Sequence, residues 1–283
     1  MKRKVMSLES KRAMFGYIFC LPFILGILIF TVYPFAMSFI LSVSQITALR
    51  FLQTKFIGFR NYIELFTVNT DFIPAFLQTI KITLIFTPFV VVLALFIAIL
   101  LNKNIKGKGI FRVIFFLPVL LGTGFVMAKL GDAANILKAP PAIQNYIYYY
   151  FSPSFADILQ GLLNDFIRIF WKTGVQIIIF MGGLQAIPES YYEAARVDNA
   201  NSWDMFWKIT LPLLSPMIFL NVLYTLIDSF RDQANPIAQL IVNTVYKVNY
   251  ESGSAMGWVY FFIAFTLVGI TALSFRRFVF YEK

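Results

Sequence analysis

The sequence contains no histidine, only one cysteine and few charged residues. Histidine is the commonest metal ligand and the side chain that most readily exchanges protons near neutral pH, so its absence argues against a metalloenzyme or an acid–base catalyst. The single cysteine, Cys20, excludes a disulfide within the chain. Only 13% of the 283 residues are charged, about half the share typical of a soluble protein.

Several catalytic motifs are also missing from the sequence. There is no G-x-x-x-x-G-K-[ST] phosphate loop, so any ATP hydrolysis that this protein uses must take place on another polypeptide. Neither a G-x-S-x-G nor an H-E-x-x-H pattern is present. We therefore predict that the chain is not an enzyme, with no catalytic residues, no metal ligands and no cofactor of its own.

Apolar residues make up most of the chain. They account for 59% of it, with 33 phenylalanines and a mean hydropathy of +0.74, which is too apolar for a single soluble core and indicates an integral membrane protein. The net charge of +10 does not indicate a nucleic-acid partner, because the basic residues are scattered among apolar segments and form no dense patch.

The apolar segments predict an all-α membrane protein with six transmembrane helices. A cytoplasmic N-terminal segment, 1–12, precedes a single transmembrane domain over 13–283. Each predicted span is near or above the roughly 20 residues that a hydrocarbon core requires. The spans are about 13–43, 76–101, 111–130, 166–185, 211–230 and 255–275. More than half of the 24 lysines and arginines flank the spans on the side of the two termini, so both termini and the loop 186–210 are expected in the cytoplasm.

The loop 186–210 is a polar island between the fourth and fifth spans. Pro188 blocks the incoming helix, and Ser190 with Glu193 matches a capping box that would restart a helix near Ser190. Asp198-Asn199 supplies residue types that tolerate a left-handed turn, so this helix should end there. A second short helix should come next, with Trp203, Phe206 and Trp207 suited to the membrane interface.

The same loop carries a family resemblance. The motif E-A-A-R-V-D-N-A at 193–200, followed by Trp203, Phe206, Ile209 and Leu211-Pro212, resembles the cytoplasmic loop of permease subunits of binding-protein-dependent ABC importers. G-F-R-N-Y at 58–62, F-F-L-P at 115–118 and the order of the spans are similar to the carbohydrate or oligosaccharide branch. The resemblance implies that Glu193, Ala194 and Ala195 form a coupling helix seated in a groove of the ATPase. Asp198 and Asn199 would fix its angle to the next helix, although the family usually has glycine where this chain has Asn199.

The resemblance also implies the partners and the location. These are a second, related permease subunit, two ATPase subunits that bind ATP and Mg, an extracytoplasmic solute-binding protein, and a sugar or oligosaccharide as substrate. The location would be the bacterial cytoplasmic membrane.

Polar residues within the predicted spans are candidates for the substrate pathway, because polar groups at membrane depth are costly unless they face a partner or water. The candidates are Gln176, Asn221, Tyr224 and Asp228. Two of them have a structural alternative: Asp228 would pair with Arg231, and Asn221 would form a hydrogen bond between helices.

Three other functions stay open from the residues. The first is an importer of a non-carbohydrate solute such as a polyol phosphate. The second is a channel or ion-coupled transporter that acts alone, and the third is a membrane enzyme. A lone transporter should show inverted repeats or paired intramembrane charges, and we find no clear repeat in the sequence. A membrane enzyme would need a cluster of acid–base groups, and the carboxylates are dispersed. The particular sugar is not indicated.

Overall fold

A computed structural model describes residues 8–48, 53–103, 109–110, 113–114, 139–232 and 234–276 of the protein. Helices dominate these residues, as predicted. In chain order they are α1 (Leu8–Ile27), a π-helical turn (Leu28–Val32), α2 (Tyr33–Ser42), α3 (Arg60–Thr67), α4 (Phe72–Asn102), α5 (Pro141–Tyr150), α6 (Pro153–Lys172), α7 (Gly174–Ala186), α8 (Glu189–Val197), α9 (Ser202–Met205), a second π-helical turn (Phe206–Thr210), α10 (Leu211–Leu213), α11 (Ser215–Arg231), α12 (Pro236–Tyr246) and α13 (Tyr250–Phe275).

One antiparallel hairpin corrects the all-α prediction. Strand β1 (Ser44–Ala48) pairs with β2 (Gln53–Phe56), with an irregularity in the register between Ile46 and Ala48. Both strands lie in the polar stretch between the first two predicted spans, where β-branched residues such as Ile46 favour extended backbone. A side chain from a distant helix helps to hold the hairpin, because the Ile46 amide donates a hydrogen bond of 2.8 Å to Oε1 of Glu251.

The chain packs as two compact units, Met1–Leu77 with Pro236–Ile263 and Gln78–Asn235 with Ala264–Lys283. The first unit buries a small cluster of apolar side chains from α3, α4, α12 and α13, namely Leu65, Phe72, Ile237 and Met256. Aromatic rings extend this packing: Trp258 lies 4.5 Å from the Phe35 ring and 5.0 Å from the Phe39 ring, between centroids. The unit is therefore held mainly by aromatic and aliphatic contacts.

The G-F-R-N-Y motif has a structural task in the first unit. Gly58 adopts a φ of 65°, the left-handed region in which glycine is favoured. The turn delivers Asn61, which is buried and donates through Nδ2 to the carbonyl oxygens of Ser42 and Ser44, both at 2.9 Å. The Tyr62 hydroxyl lies 2.8 Å from Oγ of Ser42. The motif thus ties α3 to the end of α2 and the start of β1.

The second unit is built on a close contact between α7 and α11. Ile177, Phe180, Met181 and Leu184 of α7 are buried in one cluster with Leu214 and with α4 side chains that include Ala94 and Ala98. A Cβ atom placed on Gly183 would lie 2.5 Å from Cγ of Met217 and 2.9 Å from Cδ2 of Leu214. The absence of a side chain at Gly183 is therefore what permits the two helices to approach this closely.

Among the described residues, three continuous helical stretches are long and apolar enough to cross a membrane: Met14–Ser42, Phe72–Asn102 and Tyr250–Phe275. They correspond to the first, second and sixth predicted spans. Two bent pairs of helices raise the number to as many as five if each pair is one span. The predicted third span, 111–130, lies outside the described residues except for 113–114, as do the first seven residues of the N-terminal segment. The count of six spans stays a prediction.

The predicted fourth span, 166–185, is not one straight helix. Its residues belong to α6 and α7, which meet at an angle of 52°. Thr173 lies at the break, where its amide and its hydroxyl both donate to the Phe170 carbonyl, at 3.3 and 2.7 Å, as in a tight three-residue turn. Hydropathy concealed this break, because its average across α6 and α7 stays high enough for a span even though Lys172 directly precedes Thr173.

We predict that Gly183→Leu destabilises the second unit, whereas Gly182→Leu does not. Leucine at 183 would overlap Met217 and Leu214, while a Cβ at Gly182 has no atom within 4 Å. Overpacking of this kind typically costs about 1–3 kcal/mol. Thermal unfolding of the purified protein in detergent should show a lower Tm and a lower yield for Gly183→Leu alone, and equal Tm values for the two variants would contradict the packing described here.

Candidate functional site

The helix α8 begins one residue earlier than predicted. Pro188, in extended conformation, precedes it as the N-cap, and Glu189 occupies the first turn. No side chain caps this end, so the predicted capping box of Ser190 and Glu193 does not form. The fixed φ of proline and the acidic residue in the first turn are sufficient to start the helix, because Pro188 directs the chain and Glu189 interacts favourably with the positive end of the helix dipole.

The end of α8 is as predicted. Asn199 has a φ of 56°, in the left-handed region. The Asn199 amide donates to the Arg196 carbonyl at 3.1 Å and the Ala200 amide donates to the Ala195 carbonyl at 2.9 Å. This pair of hydrogen bonds is a Schellman motif, which closes a helix and reverses the chain direction. The prediction of a left-handed turn at Asp198-Asn199 is confirmed.

A second short helix comes next, as predicted, and its cap was missed by sequence reasoning. Oδ1 of Asn201 accepts from the Asp204 amide at 2.8 Å and starts α9. Asn-x-x-Asp is a recognisable N-cap signal, so the sequence did contain it. The hydrogen bond that Lys208 donates to Asp204, with its charge, lowers the pKa of the exposed Asp204 carboxyl. The ring of Trp203 packs edge-on against Trp207 at 5.6 Å.

Most of α8 is presented to the outside. None of its residues is buried, and Glu193, Ala194 and Asp198 are exposed, with Ala195 half-buried. Within the part of the chain that the structure describes, the side-chain carboxylates of Glu193 and Asp198 make no hydrogen bond or ion pair. One side chain fastens α8 to the second π-helical turn, since the Tyr192 hydroxyl lies 3.0 Å from Oγ1 of Thr210. The helix therefore offers a face of small and acidic side chains on a fixed support.

The four predicted pathway residues fall into two groups in the second unit. Gln176 and Asp228 line the same cavity of about 20 Å³, together with Ile82, Phe86, Thr87, Val90, Arg168, Lys172, Thr225 and Ser229. That volume has room for about one water molecule. Asn221 and Tyr224 are not part of the lining. Asp228 forms no ion pair with Arg231 among the described residues, so the structural alternative for Asp228 is wrong.

Gln176 and Asn221 are both fully buried, and a threonine connects them. Nε2 of Gln176 donates to Oγ1 of Thr225 at 3.0 Å, and that hydroxyl donates to the Asn221 carbonyl oxygen at 2.7 Å. Oε1 of Gln176 and both amide atoms of Asn221 have no hydrogen-bond partner among the described residues. The hydrogen bond between helices expected of the Asn221 side chain is thus not present, and the link between α7 and α11 comes from Gln176.

An ion-pair cluster at this site was not predicted. Arg168 Nη2 and Lys172 Nζ, one turn apart on α6, lie 3.0 and 2.6 Å from the same oxygen, Oδ2 of Asp232. The Arg168 guanidinium also lies over the Phe86 ring, 5.6 Å from its centroid. Two basic residues four positions apart in an apolar helix were the available signal. They were overlooked because the predicted fourth span began at 166, so that both residues fell near its end and were assigned to the membrane interface.

Polar pairs between α4 and the end of α11 continue this cluster. Oγ1 of Thr79 donates to Oδ1 of Asn235 at 2.6 Å, and Oγ1 of Thr83 lies 2.8 Å from Oγ of Ser229. The Thr87 hydroxyl donates back to the Thr83 carbonyl. A ladder of hydroxyl, amide and charged groups thus runs through an otherwise apolar unit, where polar groups are costly unless they are paired.

Long apolar helices with an internal ladder of polar groups are typical of a membrane-embedded protein. The family model for the inner membrane component of binding-protein-dependent transport systems matches residues 67–280, and the chain belongs to this family. The resemblance to permease subunits of ABC importers is confirmed.

Individual relatives agree with this assignment. The probable ABC transporter permease protein YesP of Bacillus subtilis is 34% identical over 86% of this chain and 84% of its own. The trehalose/maltose transport system permease protein MalF of Thermococcus litoralis is 27% identical over 95% of this chain and 97% of its own. A crystal structure of a bacterial ABC transporter that imports the acidic polysaccharide alginate has a similar fold, with a TM-score of 0.73 over 95% of this chain and 97% of that chain at 21% identity.

We predict that Asn199→Gly preserves the end of α8 and that Asn199→Val disrupts it. A left-handed backbone costs an ordinary residue about 1–2 kcal/mol and a β-branched one more, whereas glycine adopts it readily. Trypsin should therefore cleave after Arg196 faster in detergent-solubilised Asn199→Val than in the unsubstituted protein, with Asn199→Gly unchanged. Equal cleavage of all three, measured by mass spectrometry, would show that the turn does not depend on this residue.

Proposed function

We propose that this chain is one permease subunit of an ATP-driven importer, forms half of the translocation pathway for a sugar or oligosaccharide, and couples to a separate ATPase through Glu193–Asn199. The observation that supports this most directly is the exposed helix α8, which carries acidic and small side chains on an outward face. A helix that buries no residue against its own chain is suited to bury them against another subunit. ATP and Mg would bind to that partner, and this chain would bind neither.

The packing of the second unit explains how movement of α8 would be transmitted. A short connection, Ile187-Pro188, joins α8 to α7, and α9 and α10 join it to α11. Because α7 and α11 pack closely at Gly183, they would move as one body if α8 were displaced. Closely packed helices transmit small displacements in this way because packed interiors deform little. Closure of the ATPases on ATP would then open the pathway alternately to the two sides of the membrane.

The proposed assembly is the one that the family implies. A second, related permease would complete the pathway, two ATPases would sit on the cytoplasmic side, and an extracytoplasmic solute-binding protein would deliver the substrate. We propose six spans in the bacterial cytoplasmic membrane with both termini inside. Gln176 and Asp228, which share a cavity, are the better candidates for the substrate pathway, and Asn221 and Tyr224 would lie farther along it. Family membership does not favour a channel acting alone or a membrane enzyme.

The coupling role predicts the effect of a bulky residue on α8. Ala194→Phe should reduce substrate-stimulated ATP hydrolysis of the complete complex about tenfold or more, which corresponds to a rise of about 1.4 kcal/mol in the activation free energy for each factor of ten. Ala142→Phe, at another exposed helical alanine on α5, is the matched control and should leave hydrolysis unchanged. If Ala194→Phe assembles normally and hydrolyses ATP at the full stimulated rate, α8 is not the coupling helix.

The proposed topology predicts the accessibility of introduced cysteines. Val197 and Tyr149 are both 81% exposed, and Cys20 is the only native cysteine to remove first. In a Cys20→Ser background, a membrane-impermeant thiol reagent should label Tyr149→Cys in intact cells, and Val197→Cys only after the membrane is opened and peripheral proteins are stripped. Labelling of Val197→Cys from outside would refute a cytoplasmic α8.

A further inference from the structure

The carboxylate of Asp232 is shared by two cations. Arg168 and Lys172 both contact its Oδ2, and all three side chains keep access to the surface, with exposed fractions of 25% for Arg168, 23% for Lys172 and 20% for Asp232. Oδ1 of the same carboxylate accepts the Ala234 amide at 3.0 Å, which fixes it at the end of α11. The cluster is therefore half-buried but remains within reach of a small group from outside.

The two cations retain most of their hydrogen-bonding capacity. A guanidinium carries five N–H donors and an ammonium three. Among the described residues, Arg168 and Lys172 each use one of these donors, on Asp232. Contact with the Phe86 ring holds the guanidinium in place without using a donor. Four donors of Arg168 and two of Lys172 therefore have no hydrogen-bond partner among the described residues.

The hydroxyl groups around the cavity are already engaged, and the acceptors that remain in its lining are Oε1 of Gln176 and the Asp228 carboxylate. The Thr87 and Thr225 hydroxyls donate to carbonyl oxygens of their own helices, and Ser229 is paired with Thr83. Oε1 of Gln176 is fully buried in the lining and unbonded among the described residues. Asp228 is the one further charge in the lining, so with Arg168, Lys172 and Asp232 the four charges cancel. An added anion is accommodated only if Asp232 gives up its place.

We propose that Arg168 and Lys172 form a subsite for the carboxylate of an acidic saccharide, and that Asp232 occupies this subsite until the substrate arrives. The proposal rests on the importer function proposed above and names its substrate class. A neutral sugar hydroxyl gains too little to displace a carboxylate held by two charged donors, because charge-assisted hydrogen bonds are roughly twice as strong as neutral ones. A cavity of about 20 Å³ admits a small group and not a sugar ring, so the ring would stay outside it.

The test uses the complete importer in proteoliposomes with three probes. These are a uronate trisaccharide, the same trisaccharide with its carboxylates reduced to alcohols, and glycerol phosphate, which shares the oxyanion chemistry. We expect ATP-driven uptake of the uronate, little uptake of the reduced form, and little uptake of glycerol phosphate. Preferred uptake of the reduced trisaccharide or of glycerol phosphate, or no uptake of the uronate, would overturn the subsite.

Variants at the two ends of the ion pair should have opposite effects. Arg168→Gln and Lys172→Met should raise the KM for the uronate or lower its uptake about tenfold, since each removes a charge that binds it. Asp232→Asn removes the internal competitor and retains the Oδ1 acceptor, so uronate uptake should be maintained or increased. Arg168→Lys should restore part of the loss. Arg60→Gln, which breaks an exposed ion pair with Glu64, is the matched control and should have no effect.

A purely structural ion pair would give a different pattern. Asp232→Asn would then reduce folded yield and uptake as much as Arg168→Gln does, and that result overturns the proposal. Different experimental results would contradict the subsite and the importer function. ATP-driven uptake confined to neutral sugar overturns the subsite alone, whereas charge-dependent uronate uptake without ATP overturns the importer function alone.

Discussion

The contact between α7 and α11 is the constraint on which the rest of the second unit depends. It requires a residue without a side chain at 183, since even one added carbon would overlap Met217 and Leu214. The contact joins two regions with different tasks, because α8 is attached to the C-terminal end of α7 and the polar ladder runs beside α11. Loosening it would separate the exposed helix from the charged cluster, even with every residue of both still present.

Polar groups in this unit are arranged by the cost of leaving them unpaired. Threonines of α4 at 79, 83 and 87 repeat every four residues and so lie on one helix face, where two of them meet partners on α11 and just beyond it. Gln176 reaches Thr225 across the contact between α7 and α11. Two amides, those of Gln176 and Asn221, remain incompletely bonded among the described residues. Unsatisfied groups of this kind are expensive in an apolar setting, which is why they are reasonable places to look for a substrate.

The sequence was most informative where structure is decided locally. Hydropathy located α4 and α13, and the Asp198-Asn199 turn was predicted because residue type alone limits which conformations are available. Hydropathy could not reveal the break at Thr173, since averaging over a window hides a local turn made by the amide and hydroxyl of one residue. Nor could it pair Asp232 with Arg168 and Lys172, which lie 64 and 60 residues away in the chain. The start of α8 was predicted to within one residue from Pro188, but the capping box expected of Ser190 and Glu193 does not form.

No residue of α8 is fully buried in this chain, and the evolution of its exposed positions should differ from that of the core for this reason. The residues tolerated at core positions such as Gly183 are limited by packing within this chain, so variation there reflects the constraints of the fold. Packing within the chain places no such limit on Glu193 or Ala194, so any selection seen there must originate in another molecule. If α8 is seated on an ATPase as proposed, the substitutions tolerated on it in a set of orthologues would describe the surface of that ATPase.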